Sequence, residues 1–407
     1  MTFLATEPHA PAVDPTAADG GVLSLLWLVV ALGTLVMEDV RLEPGKQIDL
    51  LERLVVEGLG EKKFRAKQLF EWLYRHLASS FDDMTNLSKS FRATLAATCR
   101  VAPVRHKGIF SASDGTSKLT FECDDQAVVE SVFIPYASHN TLCISSQVGC
   151  AMGCTFCFTA KMGLVRHLTA AEIVDQVVQA RRLAAKQDQL VTNIVFMGMG
   201  EPLHNLDHVL QATKILIDQE GLDFSKRRVT VSTSGLVPQM KKFMEETEAQ
   251  LAVSLNATTD LVRSKIMPIN DRYDIEELMG ALRGLDLDRR QRITLEYVLL
   301  GDMNDSLQDA KRLVELVRGL PCKVNLIPFN PHPDTPFKTP SEARIDAFQK
   351  HLIDHHVAVF RRQTRGRDEM AACGQLGEPG NRREPAHLRK RLESLRQTPQ
   401  PPEGGGA

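Results

Sequence analysis

From Leu142 onward short apolar strands alternate with longer amphipathic helical stretches, and this order restricts the fold more than any other feature of the chain. The strands read as Leu142 to Ile144, Asn193 to Met197, Arg228 to Ser232, Leu251 to Leu255, Ile293 to Leu299 and Val324 to Ile327. Between them, apolar residues recur at helical spacing over Ala170 to Leu183, Leu206 to Ile217, Asp274 to Leu285 and Asp305 to Val317. Repeated strand–helix units imply a parallel sheet with right-handed crossovers. Six units point to an α/β fold, a partial (β/α)6 barrel, whose site lies at the C-terminal ends of the strands.

The preceding segments read differently. From Gln47 to about Cys99 the spacing of Phe64, Leu69, Phe70, Leu73 and Leu77 is helical, and Ser88 is placed to cap the next helix. Between His106 and Pro135 short strands are broken at Asp114-Gly115 and Asp124-Asp125, which resemble hairpin turns. The expected organisation is an extension over 1–44, a small helical domain over 45–104, the catalytic barrel over 105–376 and a tail over 377–407. The tail is rich in Pro, Gly, Arg and Gln and is expected to be disordered. Val22 to Met37 is almost continuously apolar, but Glu7, Asp14 and Asp19 precede it without a Lys or Arg, the reverse of a signal peptide. It is also short for a membrane span, which needs about 20 residues. A translation start at Met37 is an alternative reading of this extension, and no stable membrane association is expected.

Among the 407 residues 43% are hydrophobic and 25% charged, which suits one large core with or without a small appended domain. The net charge of −2 conceals basic clusters at Lys226-Arg227-Arg228 and from Arg361 to Arg367, so a nucleic-acid partner is not excluded. Eight cysteines are too sparse for a disulfide scaffold, and four of them crowd between Cys143 and Cys157. Crowded thiols point to metal in a reducing, cytoplasmic compartment. Cys150, Cys154 and Cys157 directly follow the first barrel strand, so one short loop can wrap a single metal centre. Structural zinc normally takes four ligands, and no second CxxC pair is nearby. Three thiolates on a cubic iron–sulfur cluster would leave one iron open. Zinc and unrelated core cysteines remain the alternatives at this point.

The CxxxCxxC spacing is that of the radical S-adenosylmethionine (SAM) superfamily, and Gly198-Met-Gly-Glu-Pro202 resembles that superfamily's GGE-type motif, although a glycine turn opening a helix is the bland reading. More of the chain resembles the dual-specificity ribosomal and transfer RNA adenine C2 methyltransferases. The resemblance is carried by Cys143-Ile-Ser-Ser-Gln-Val-Gly-Cys150, Phe196 to Leu203, Val229-Thr-Val-Ser-Thr-Ser-Gly235, Leu251-Ala-Val-Ser-Leu-Asn-Ala257, Asn325 to Pro331 and Ala371-Ala-Cys-Gly-Gln-Leu376, and it spans roughly Gln47 to Leu376.

That resemblance implies a [4Fe–4S] cluster on Cys150, Cys154 and Cys157, with SAM held by Gly200, Glu201, Ser232, Ser254, Leu255, Asn256 and Asn330. Asn256 stands where many members carry histidine. It implies that one SAM methylates Cys373 and that a second, cleaved reductively, yields the radical that removes hydrogen from the S-methyl group. The resulting methylene adds to adenine C2, Glu130 accepts the proton, and Cys143 resolves the RNA–protein bond by forming a disulfide with Cys373. Without the resemblance, Cys143 would pass for a small buried strand residue, Cys373 for an idle loop thiol and Glu130 for a solvated strand glutamate. The partners implied are 23S rRNA and tRNA, read in part by the helical domain, and an electron donor such as flavodoxin, with the protein a monomer. Arg367 is expected to face phosphate or a solvated surface. Rival readings are the sister C8-adenine methyltransferase of the antibiotic-resistance type and a non-enzymatic iron–sulfur RNA-binding module, which would have no need of Cys143 and Cys373.

Overall fold

The computed structural model describes residues 51–289, 291–333, 335–377 and 385–397. The apolar run before Met37 and the alternative start there lie outside the described residues. Helix α1 (Phe64–Tyr74) buries Ala66, Leu69, Phe70, Leu73 and Tyr74, a stripe set by the helical period. Phe64, expected on that stripe, is instead 52% exposed, and its ring lies 4.9 Å from the Arg65 guanidinium. Ser88 caps α2 (Lys89–Thr98), its Oγ accepting from Phe91 N at 3.2 Å. This helical unit is not walled off: Leu51, Leu69 and Leu95 belong to the same apolar core as the barrel, and Arg182 Nε donates to Leu77 O at 2.7 Å.

Strands β1 (Val104–Ser111), β2 (Ser117–Cys123) and β3 (Val128–Pro135) form an antiparallel meander with its turns at the two Asp-containing pairs read from the sequence. Strand β4 (Asn140–Cys143) pairs antiparallel with β3, placing Val132 opposite Cys143. On its other edge β4 runs parallel to β7 (Asn193–Phe196), so meander and barrel make one sheet. A separate hairpin, β5 (Gln147–Gly149) and β6 (Leu164–His167), brackets the three-cysteine loop. After α3 (Ala170–Ala185), β7 and α4 (Leu206–Ile217) come β8 (Val229–Thr233), α5 (Val237–Glu246) and β9 (Gln250–Ser254). The short helix α6 (Asp260–Ile266) and α7 (Ile275–Arg283) lead to β10 (Ile293–Leu299), α8 (Leu307–Val317) and β11 (Cys322–Pro328). Helix α9 (Glu342–Asp354) then returns the chain to β12 (Val359–Arg361), which pairs parallel with β11.

The sheet order is β1-β2-β3-β4-β7-β8-β9-β10-β11-β12. The six expected barrel strands are all present, and β12 extends them by three residues too short and too polar to read as a strand. The tail departs from expectation: Ala386–Gln397 form helix α10. Its Leu388 and Leu392 are buried against Ala160 and the half-buried Cys157, and Arg391 Nη2 reaches Asp271 Oδ2 at 2.9 Å. Leucines four apart give this charged segment the one apolar edge it needs to pack.

Candidate active site

The loop after β5 is set by backbone sterics. Gly149 has φ +75, and a Cβ there would lie 1.8 Å from Gly163 O, so this turn admits no side chain. The turn delivers Cys150, whose N–H donates to Gly163 O at 2.9 Å. Cys150, Cys154 and Cys157 line one cleft at the C-terminal ends of the barrel strands, about 1030 Å³ counted out to its mouth. All three thiols are free, and burial holds each above its usual range, with the charge of Cys157 adding to the effect at Cys154.

Gly200, Glu201, Ser232, Ser254, Asn256 and Asn330 line the same cleft. Gly200 has φ +104, and a Cβ there would lie 2.6 Å from Gln147 Cβ. Its neighbour Glu201 donates its N–H to Gln147 Oε1 at 2.7 Å. The Glu201 carboxylate accepts from Ser234 N at 2.7 Å and Leu203 N at 3.0 Å. Burial raises its pKa while those amides pull it back. Asn256 has φ +55, and its side chain is occupied by the fold: Oδ1 accepts from Val298 N at 2.8 Å and Nδ2 donates to Met267 Sδ at 3.1 Å. Leu255 is fully buried behind the cleft, its N–H donating to Glu296 O.

Cys373 sits where the cleft meets a second, smaller cavity of about 460 Å³ and lines both. Cys143 lines the smaller cavity with it. Burial pushes the Cys143 thiol up to about 12, reinforced by the Cys373 charge and opposed by Arg362. The Cys373 loop is clamped to its surroundings: Gly374 O accepts from Phe158 N at 2.7 Å, Leu376 O from Thr159 Oγ1 at 2.7 Å, and Asn330 Nδ2 donates to Cys373 O at 3.3 Å. Glu130 is buried, not solvated. It shares the β3 face of Val132 and Ile134 but does not line either cavity, because its Oε2 accepts from Gly377 N at 2.7 Å and its Oε1 lies 3.3 Å from Lys118 Nζ. Arg367 is exposed on the segment leading to Cys373.

Three residues here were missed from sequence. Glu296 is 5% exposed in the middle of β10; its Oε2 accepts from Ser232 Oγ at 2.7 Å and Ser254 Oγ at 3.5 Å, while Oε1 has no partner. A carboxylate inside an otherwise apolar strand was the available signal. Arg263 is fully buried and donates to Leu255 O, Ser254 O and Ser234 O at 3.0, 3.1 and 2.8 Å, locking the ends of β8 and β9. Arg362 lines the smaller cavity. Nothing in sequence distinguished it from its basic neighbours.

Comparisons with known proteins agree with this geometry. Residues 144–316 match the family model described as the radical SAM superfamily, and residues 48–101 match that of a ribosomal RNA large subunit methyltransferase N-terminal domain. The dual-specificity RNA methyltransferase RlmN of Geobacter sulfurreducens is 50% identical over 349 residues, 86% of this chain and 95% of that protein. The chain belongs to the RlmN family of dual-specificity RNA methyltransferases. The RlmN of Pelobacter propionicus is 53% identical over 322 residues, covering 79% of this chain and 91% of that one. The crystal structure of a radical SAM methyltransferase from Sphaerobacter thermophilus superposes with a TM-score of 0.77 at 45% identity, covering 80% of this chain and 96% of that one.

Radical SAM proteins use a [4Fe–4S] cluster and SAM, and the cleft of this RlmN-family chain fits both. Three thiols on one short loop suit a cluster with an open iron. Glu296 Oε1 is buried without a partner in the cleft, as expected of a group that meets a polar ligand. Among the described residues no helix is long and apolar enough to cross a membrane.

Proposed function

We propose that this chain methylates C2 of adenosine in 23S rRNA and in tRNA, taking two SAM per turnover, with a cysteine as methyl carrier. The observation that carries the reading is that Cys373 lines both the thiol-lined cleft and the cavity of Cys143. When bound, the cluster on Cys150, Cys154 and Cys157 and the SAM beside it supply the methyl group and the one-electron chemistry that an unreactive ring carbon requires.

The chain's own residues do the rest. Glu201, Ser232, Ser254 and Asn330, with the backbone around Gly200, Leu255 and Asn256, orient SAM. Cys373 receives the methyl group on its sulfur and presents it to RNA from a loop held in place by Asn330, Phe158 and Thr159. Cys143, as its thiolate, then attacks the Cys373 sulfur; a disulfide forms, the electron pair of the sulfur–carbon bond goes to the methylene carbon, which takes up a proton to become the methyl group, and a reductant later reopens the disulfide. Glu130 takes the proton leaving C2, which requires its carboxylate to leave Gly377 N and turn to the base, since it lines neither cavity. The helical unit before β1 contacts RNA, a flavodoxin-type donor supplies electrons, and the protein works as a cytoplasmic monomer. Eight free thiols among the described residues agree with a reducing compartment.

The test is mass spectrometry of adenosines from ribosomal and transfer RNA incubated with anaerobically reconstituted protein, SAM and a reductant. The expected product is 2-methyladenosine in both. Appearance of 8-methyladenosine, or no methylation despite an intact cluster, overturns the reading.

A further inference from the structure

The smaller cavity is built unlike a cofactor cleft. Val132, Ile134, Ile327, Ala371 and Ala372 give it apolar walls, and Tyr136 adds an aromatic ring. Two cations line it: Arg365, whose guanidinium lies 5.5 Å from the Tyr136 ring centre and donates to Asp114 O at 3.5 Å, and Arg362. The Arg362 backbone is pinned, its N–H donating to Leu326 O at 2.8 Å. Among the described residues the guanidinium has a single partner in hydrogen-bond range, Met197 Sδ at 3.6 Å from Nη1. A thioether is a weak acceptor, and a guanidinium carries five N–H donors in a fixed plane. The charge of Cys373, followed by that of Glu296, keeps it protonated against burial. A planar donor with unspent hydrogens, apolar walls and the proposed carrier sulfur therefore meet in one space.

We propose that the smaller cavity receives the target nucleobase, and that Arg362 donates there to one of the two ring nitrogens flanking C2 of adenine. The inference rests on the proposed methylation at C2 and adds what reads the base. C2 of adenine lies between N1 and N3, both unsubstituted acceptors, whereas C8 lies between N7 and the sugar-bearing N9. A donor beside the carrier sulfur turns the N1–C2–N3 edge toward Cys373 and keeps the exocyclic amine, itself a donor, away. Donation to either nitrogen also withdraws electron density from C2, which favours attack by an electron-rich carbon on that position. Arg362 is thus a specificity-determining residue that touches the substrate ring.

The experiment separates loading from transfer. Cys373 S-methylation needs SAM but no RNA and is read from the mass of the Cys373 peptide. Arg362→Gln is expected to hold its cluster absorbance and its Cys373 loading while methyl transfer to RNA slows by roughly 10- to 100-fold, the range for a lost hydrogen bond to a charged donor. Arg362→Lys is expected to recover part of that rate. RNA carrying 1-deazaadenosine or 3-deazaadenosine at the target position supplies the second arm. One of the two is expected to slow the unaltered protein by a similar factor, and on that RNA Arg362→Gln should cost nothing further. Full-rate methylation of both analogues, or losses that multiply, overturns the proposal even if Arg362→Gln folds poorly. Absence of 2-methyladenosine from the unaltered protein on normal RNA is the separate failure of the C2 reading.

Discussion

The two cavities that share Cys373 differ in the polarity of what they offer. The larger cleft presents acceptors: the Glu201 and Glu296 carboxylates, Ser232, Ser254 and three thiols. The smaller cavity presents the donors of Arg362 and Arg365 between apolar walls. A ligand bearing an ammonium and a sulfonium belongs in the first, and a flat, acceptor-edged ring in the second. The difference teaches how one sulfur can serve two reactants: it lies on the boundary, and each side rejects the other's ligand by charge.

The hardest blow to this picture is at the boundary itself. Cys373→Ala should abolish RNA methylation, a loss of at least about 10³-fold by the scale of nucleophile deletions, while the visible spectrum of the cluster is retained. Retained methylation would end the carrier reading. Cys143→Ala should leave Cys373 loading intact and accumulate a covalent protein–RNA species visible on a denaturing gel, and its absence under turnover would remove Cys143 from the release step. On the cleft side alone, Glu296→Gln should weaken SAM binding by roughly 10-fold, measured by equilibrium dialysis on cluster-loaded protein. Unchanged affinity would mean that the unpartnered oxygen faces no ligand.

The smallest effect is expected outside both cavities. Asp175 on α3 is buried and accepts from Val104 N at 3.2 Å, and burial raises its pKa to about 7. A carboxyl whose folded pKa exceeds its unfolded value costs nothing at low pH, and the cost of ionising it grows as pH climbs from about 4 through 7. Asp175→Asn should therefore gain about 1–3 kcal/mol relative to the parent at pH 8 and little at pH 4, read as the difference in melting temperature. Equal gains at both values would show that Asp175 does not titrate in the folded protein. Glu201 shares the burial but accepts from two backbone amides at 2.7 and 3.0 Å where Asp175 accepts from one at 3.2 Å.

Much of this was legible in the sequence because it is local. The six long barrel strands, the Ser88 cap and the cysteine loop each follow from residues within one short window. Strand β12 was not, since Val359–Arg361 is extended because β11 offers a parallel edge beside it. Helix α10 was hidden by a charged composition, and two leucines meeting Ala160 settle its conformation. Within the site, the motif residues were found as a set, but their positions around the cleft were not. Leu255 lies behind the cleft, the Asn256 side chain is spent on Val298 and Met267, and Glu130 is turned toward Gly377. Glu296 and Arg362 escaped because strand periodicity says which residues are buried, not which are left without a partner.

The bond from Gly377 N to Glu130 spans 247 positions, and that from Thr159 to Leu376 spans 217. Contacts of such separation close long loops and carry a larger entropic cost than the local hairpins of β1 to β3. Cys143 is held by its neighbouring strand, opposite Val132 on β3, whereas the Cys373 loop is held by these distant ties. The two sulfurs meant to exchange bonds are thus secured by contacts of very different range, so a change far from Cys373 in sequence can shift the carrier while leaving Cys143 where it is.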